Sequence, residues 1–311
     1  MNDVIEEQRF RDIFCRAHAG HLSCVGDEWL KSPCREPGGE RAVRSIVWSR
    51  RNGPWRRVQV LFVGAAPGNA GGMGSGAMGA HGTRIPFGGD VAGGNLDVLL
   101  GNAGLDRNST FIVAALNQLP ARGGGEPRVA ELRAPVGALP SSLHLLRDTV
   151  LATQPRLVVC LGNVALRSLV AAARAATGNR LVLPTRDRLE AAGLTRGKAT
   201  HWPAALAPDA GFMGRWAADR AKGASPPALL WLLHPSAQNM SPYAATGTVF
   251  HTRMVETVTA LREAVSDVLG IRPPAVRRPP PTTGIYDLPE WRQAVGPRHA
   301  QLDRLWKSRG V

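Results

Sequence analysis

Two short stretches hold the residues whose types and spacing could do chemistry. The first closes the run Leu61–Asp90, LFVGAAPGNAGGMGSGAMGAHGTRIPFGGD. Gly64-Ala65-Ala66-Pro67-Gly68 reads as a tight turn with exposed backbone, followed by a loop built mainly of Gly, Ala and Met. Small residues let a ligand come close to the main chain. Phe87 and Asp90 stand at the far rim of that loop, one aromatic and one carboxylate, and Asp90 is the only acid between Glu40 and Asp97. The second stretch is His234-Pro235-Ser236-Ala237-Gln238-Asn239, directly after the apolar run Leu229–Leu233. Taken singly, each residue has an ordinary structural role. Asp90 fits a helix cap or turn, Phe87 a core position and His234 a core-edge position. The formal GxGxxG at Gly74, Gly76 and Gly79 has no strand just before it and no helix just after it, which argues against a dinucleotide site. No GK[ST] follows, so a P-loop is excluded.

The elements that must position these residues read as alternating strands and helices. Val58–Val63, Phe111–Leu116, Arg156–Leu161 and Leu229–Leu233 are strands. Asn95–Ala103 is a helix stopped by Gly104. Ser141–Thr153 is a helix capped by Ser141 or Ser142, with Pro155 beyond its end. Gly162–Ala176 is a helix stopped by Gly178, and Thr248–Leu269 is a long last helix. This order predicts an α/β fold, a three-layer α/β/α sandwich around a central, mainly parallel four-stranded sheet. Parallel strands put their C-terminal ends on one edge, where such sheets bind ligands. Loops Gly64–Asp90, Asn117–Pro127 and His234–Pro242 would meet there.

Residues 1–53 read as a peripheral segment with one amphipathic helix over Val4–Ala17. Residues 54–269 read as the α/β domain, with an insertion of mixed structure over about 179–227. Residues 270–311 read as a basic, Pro-rich tail with a short helix over Glu290–Arg309. Ile271–Val311 carries eight Lys/Arg and three Asp/Glu, hence +5.

The formal net charge is +14 and the pI near 11.1, which points to a polyanionic partner, above all nucleic acid. No run of 18 apolar residues exists to span a membrane. The first residues lack the basic-then-apolar pattern of a signal peptide. A cytoplasmic, nucleoid-associated location is expected. The cysteines are Cys15, Cys24, Cys34 and Cys160, with no CxxC pair, so the metal signal is weak. Cys160 reads as a buried core thiol, and disulfides are not expected in a reducing compartment.

In combination the motifs say more than they do singly. A strand running into GAAPG, then PFGGD, then a second strand ending near Pro120, then a strand ending in Leu161-Gly162, and finally a strand running into HPSAQN resembles the uracil-DNA glycosylase superfamily. The likeness is greatest to its family 5 (type B) branch and covers roughly Val58–Met254. That branch has an APG-type turn, an F-x-G-D segment (here Phe87–Asp90) and an H-x-S-x-Q-N segment (here His234–Asn239).

The resemblance implies cleavage of the bond between a base and deoxyribose, with the base flipped into a pocket. It implies Asp90 and His234 as catalytic residues. Asp90 would stabilise the sugar cation and orient water, and His234 would stabilise negative charge on the base. Gly64, Ala65, Ala66, Gly68, Phe87 and Asn117 would bind the base, Phe87 by stacking. Ser236, Gln238, Asn239 and Arg253 would contact DNA. Ala65 stands where other branches carry an acid or an amide, which places the carboxylate role on Asp90. Families 4 and 5 commonly hold an iron–sulfur cluster. Gln118 stands about where one cysteine ligand would be, and the N-terminal cysteine spacing is wrong, so no cluster, metal or other cofactor is expected.

The expected function is a monofunctional DNA glycosylase acting on uracil or another modified pyrimidine, since no lysine lies in the motif loops to form a Schiff base. The small-residue loop leaves room for a base larger than uracil, such as a bulky modified cytosine in phage DNA, unless Met73, Met78 and His81 fold inward and fill the space. A different class would be a non-catalytic reader of flipped bases or single-stranded DNA, and the charge alone allows RNA. The partner is DNA, with no membrane and no small-molecule cofactor, and a monomer is expected.

Overall fold

The computed structural model describes residues 58–66, 87, 91–105, 110–116, 120, 126–135, 139–175, 181–219, 225–236, 238–241 and 244–275. The expectations for Val4–Ala17, residues 1–53, the Gly74–Gly79 motif, Gly178 and Glu290–Arg309 lie outside them.

The four expected strands are present as β1 (Val60–Gly64), β2 (Thr110–Ala114), β3 (Leu157–Leu161) and β5 (Ala228–Leu232). A fifth, β4 (Ala199–Thr200), adds an antiparallel edge within the expected insertion. It takes the sheet beyond the four strands expected. Two residues carry no periodicity, so β4 leaves no pattern in the sequence. The sheet order is β2-β1-β3-β5-β4, and β2, β1, β3 and β5 are mutually parallel.

The parallel strands are buried and, apart from Thr110 at the start of β2, apolar, because both faces are covered. Side chains alternate between two cores. Leu61, Val63, Phe111, Val113, Val158, Cys160, Leu229 and Trp231 face one core. There they meet α3 (Ser142–Thr153) and α4 (Asn163–Ala173). Val60, Phe62, Ile112, Leu157, Val159, Leu161, Leu230 and Leu232 face the other. Those meet α1 (Val91–Asn102) and α7 (Val249–Leu269). The result is the α/β/α sandwich.

Helix boundaries differ from expectation in places with clear causes. Helix α1 starts at Val91 rather than Asn95, because Gly93 and Gly94, poor helix formers, are buried inside it. Helix α4 starts after Gly162, whose φ of 94° suits glycine, and ends at Ala173. Ser141 caps α3, accepting from the His144 amide, and Thr248 caps α7 in the same way from His251. A short helix, α2 (Val129–Arg133), was not expected; Arg128 and Glu131 close its first turn.

The insertion folds as α5 (Arg186–Ala191), β4, a 3-10 turn at Ala204–Leu206 and α6 (Ala210–Asp219). It is packed by Leu189, Leu206, Phe212 and Trp216, all buried. Arg147 of α3 grips Asp209 with two hydrogen bonds of 2.9 Å, and Asp209 also accepts from the Phe212 amide at 2.6 Å. One carboxylate therefore caps α6 and neutralises a guanidinium that is only 4% exposed.

Candidate active site

The strand order reverses at β1. From β1 the chain crosses to β2 over the α1 face, and later returns to β3, on the other side of β1, over the opposite face. A crevice outside the C-terminal ends of β1 and β3 follows from this arrangement. Gly64 ends β1, and Gly162 follows β3.

Phe87 lies against the end of β1. A Cβ placed on Gly64 would stand 3.3 Å from Phe87 Cε2 and 3.4 Å from Cζ, so glycine is what lets the ring approach the strand. Phe87 has φ 53°, a left-handed conformation that costs a non-glycine residue on the order of 1–3 kcal/mol. Its half-buried ring faces the His234 ring, with centroids 5.6 Å apart and planes tilted by 39°.

His234 comes two residues after β5 and is half-buried. Its Cβ would lie 3.6 Å from a Cβ on Gly162. Gly162 donates its amide to the Leu232 carbonyl at 2.9 Å. Three strand ends thus converge on two rings.

The loop after β5 is held from two sides. Asn95 of α1, 2% exposed, donates from Nδ2 to the Pro235 carbonyl at 2.8 Å and to the Met240 carbonyl at 3.0 Å. Asn239 donates from Nδ2 to the His234 carbonyl at 2.9 Å. The Ser236 carbonyl accepts from the amides of Asn239 and Met240. The turn is thus tied by hydrogen bonds both to α1 and within itself. Asn95 was not singled out from sequence. Its signal was a lone amide beside Leu96 and Leu99 in an otherwise apolar stripe.

The remaining site candidates are distributed as follows. Ala65 and Ala66 are half-buried and pack on the core, and the Ala65 carbonyl accepts from Leu116 at 2.9 Å. Ser236 is half-buried and Gln238 exposed, while Asn239 is turned to its own loop. Arg253 is half-buried on α7, and the amide of Ser241, just past the loop, donates to the carbonyl of Phe250 near the start of that helix. Gly68, Asp90, Asn117 and Gln118 lie outside the described residues, as do Cys15, Cys24 and Cys34. Cys160 is buried in β3, and burial pushes its thiol pKa up, so it is an inert core group. Among the described residues no group of His, Cys, Asp and Glu is arranged to hold a metal, and no helix is long and apolar enough to cross a membrane.

No curated protein matches the sequence. A family model described as the uracil DNA glycosylase superfamily matches residues 51–263, which takes in β1, the crevice, the loop after β5 and most of α7. With that match over more than half of its length and a mixed α/β fold to suit, the chain belongs to the uracil DNA glycosylase superfamily, which supports a DNA glycosylase activity in general.

Proposed function

We propose that the protein is a monofunctional DNA glycosylase that hydrolyses the N-glycosidic bond of a flipped-out uracil or other modified pyrimidine and leaves an abasic site. The observation that carries this is the pairing of Phe87 and His234 at the crevice, one ring packed on Gly64 and the other beside Gly162. A flat base entering there would find an aromatic face and a ring N–H together. In the reaction the C1′–N bond breaks and its electron pair goes to the base. Water supplies a hydroxyl to C1′, and a proton ends on the base. Phe87 stacks on the base. His234 donates toward the oxygen where negative charge grows. Asp90 directly precedes the first residue of α1 and lies three residues after Phe87, so its Cα stays within about 11 Å of that of Phe87. From there its carboxylate serves the sugar cation and the water. The motifs favour the family 5 branch, working without an iron–sulfur cluster. Gln238 is free to face DNA, while Asn239 holds His234 in place.

The test is mass spectrometry of free bases released from DNAs holding uracil, a T:G mismatch, hypoxanthine, hydroxymethylcytosine or glucosylated hydroxymethylcytosine. Release of uracil or another altered pyrimidine is expected. Asp90→Asn should still bind but release nothing, and His234→Asn should slow release by about 10²–10³-fold. Release of only a bulky base would assign the protein to phage defence. Binding without release from any DNA in the panel would make it a reader of flipped bases and overturn the catalytic proposal.

A further inference from the structure

Two arginines of the insertion gather on Trp231, on the β4 side of the sheet. Trp231 of β5, 2% exposed, is the platform. Arg196 pairs with Trp231 as an isolated parallel bridge, and the next amide, Gly197, donates to the Trp231 carbonyl at 2.8 Å. That docking lays the Arg196 guanidinium over the indole, 4.8 Å from the ring centroid. Arg186 of α5 approaches the same ring at 5.9 Å. Both distances fall within cation–π range.

The charge balance around Trp231 is lopsided. Arg186 bonds Glu190 at 2.7 Å. Among the described residues no carboxylate forms an ion pair with Arg196. Burial lowers the Arg196 pKa most, the charge of Arg186 lowers it next, Glu190 raises it and Arg253 of α7 lowers it. Glu190, bonded to Arg186, is also the carboxylate that acts on Arg196. Stacking also fixes the orientation of the Arg196 fork before any ligand binds, which reduces the entropy lost on binding an anion. Trp231 lies in β5, three residues before His234, so the two are at most about 11 Å apart along the chain.

We propose that Arg196 and Arg186, stacked on Trp231, form a backbone-phosphate site for the DNA strand that delivers its base to the crevice. This rests on the function proposed above. The insertion would then be part of the DNA-binding face, and it would position the strand without reading sequence.

The test is binding of a fluorescent DNA duplex over a range of salt concentrations, by anisotropy, for the wild type, Arg196→Gln and Arg186→Gln. Base release by the wild type is measured alongside. Loss of one phosphate contact should lower the slope of log K against log salt by about 0.9 in magnitude and weaken binding to all sequences alike. Arg186 is exposed, so its variant keeps the test open if Arg196→Gln fails to fold. Unchanged slopes in the folded variants, with wild-type base release intact, would overturn the arginine site and leave the glycosylase function standing. Absence of any DNA binding by the wild type would overturn both.

Discussion

At the scale of single residues, Asn95 shows how much the site depends on a group that does no chemistry itself. One buried amide satisfies two carbonyls of the loop that presents His234. Asn95→Ala leaves both without that donor and should cost about 1–3 kcal/mol by urea unfolding. The rate of base release should fall further than the loss of folded protein explains, because His234 loses its support. Equal losses would show that Asn95 only stabilises the fold. His144, in the first turn of α3, makes a different prediction. Its Nδ1 lies 2.9 Å from the Ser141 hydroxyl. Burial lowers its pKa most; Asp148 raises it, and Arg147 and Arg215 lower it. A histidine with a depressed folded pKa contributes stability that is fully present above its ordinary value of 6.5 and is lost as pH falls below it. Thermal melting from pH 7.5 down to 5.5 should therefore destabilise the wild type more than His144→Gln.

Elements show where sequence and structure part company. The four parallel strands were legible because a strand buried on both faces is an unbroken apolar run. The helices α3 and α7 were legible from Ser141, Thr248 and their apolar stripes. The start of α1 was hidden by Gly93-Gly94, whose weak helix propensity is overridden by packing. The insertion was opaque because its order comes from tertiary contacts rather than periodicity. Of the site, Phe87 and His234 were found as motif members, and the structure places their rings together. Asn95 and the arginines on Trp231 were missed, since long-range hydrogen bonds and stacking leave no local spacing. The Arg147–Asp209 pair is such a contact, and α6 depends on it. Asp209→Ala removes a cap and leaves a buried guanidinium without its partner, which should cost about 3–5 kcal/mol. Chemical denaturation would measure it. Arg147→Met together with Asp209→Ala should recover part of the loss; no recovery would show that the cap, rather than the stranded charge, dominates.

On the scale of the whole molecule, α7 runs the length of the domain, about 30 Å for its 21 residues. It starts beside the His234 loop and ends where Arg156 donates to the carbonyls of Val268 and Leu269, next to the start of β3. Ile271 packs on the core, and Arg262 holds the carbonyl of Pro274. The chain therefore leaves the described fold at the pole opposite the crevice. Beyond residue 275 come 311 − 275 = 36 residues, with seven Lys/Arg against three Asp/Glu. Their fully extended span is at most about 120–130 Å. If the basic segment contacts DNA, it does so from a root at that pole. Attachment would then be bivalent, and bivalency favours a polymer long enough to reach both grips. Removing residues 276–311 should then weaken binding to a duplex of about 30 base pairs more than to one of about 8 base pairs, given about 3.4 Å per pair. Equal weakening at both lengths would mean that the segment acts at the crevice itself. With two grips, letting go of a cleaved site need not mean letting go of the DNA, so the dwell time on long DNA would be set by the tether and the turnover at each base by the crevice.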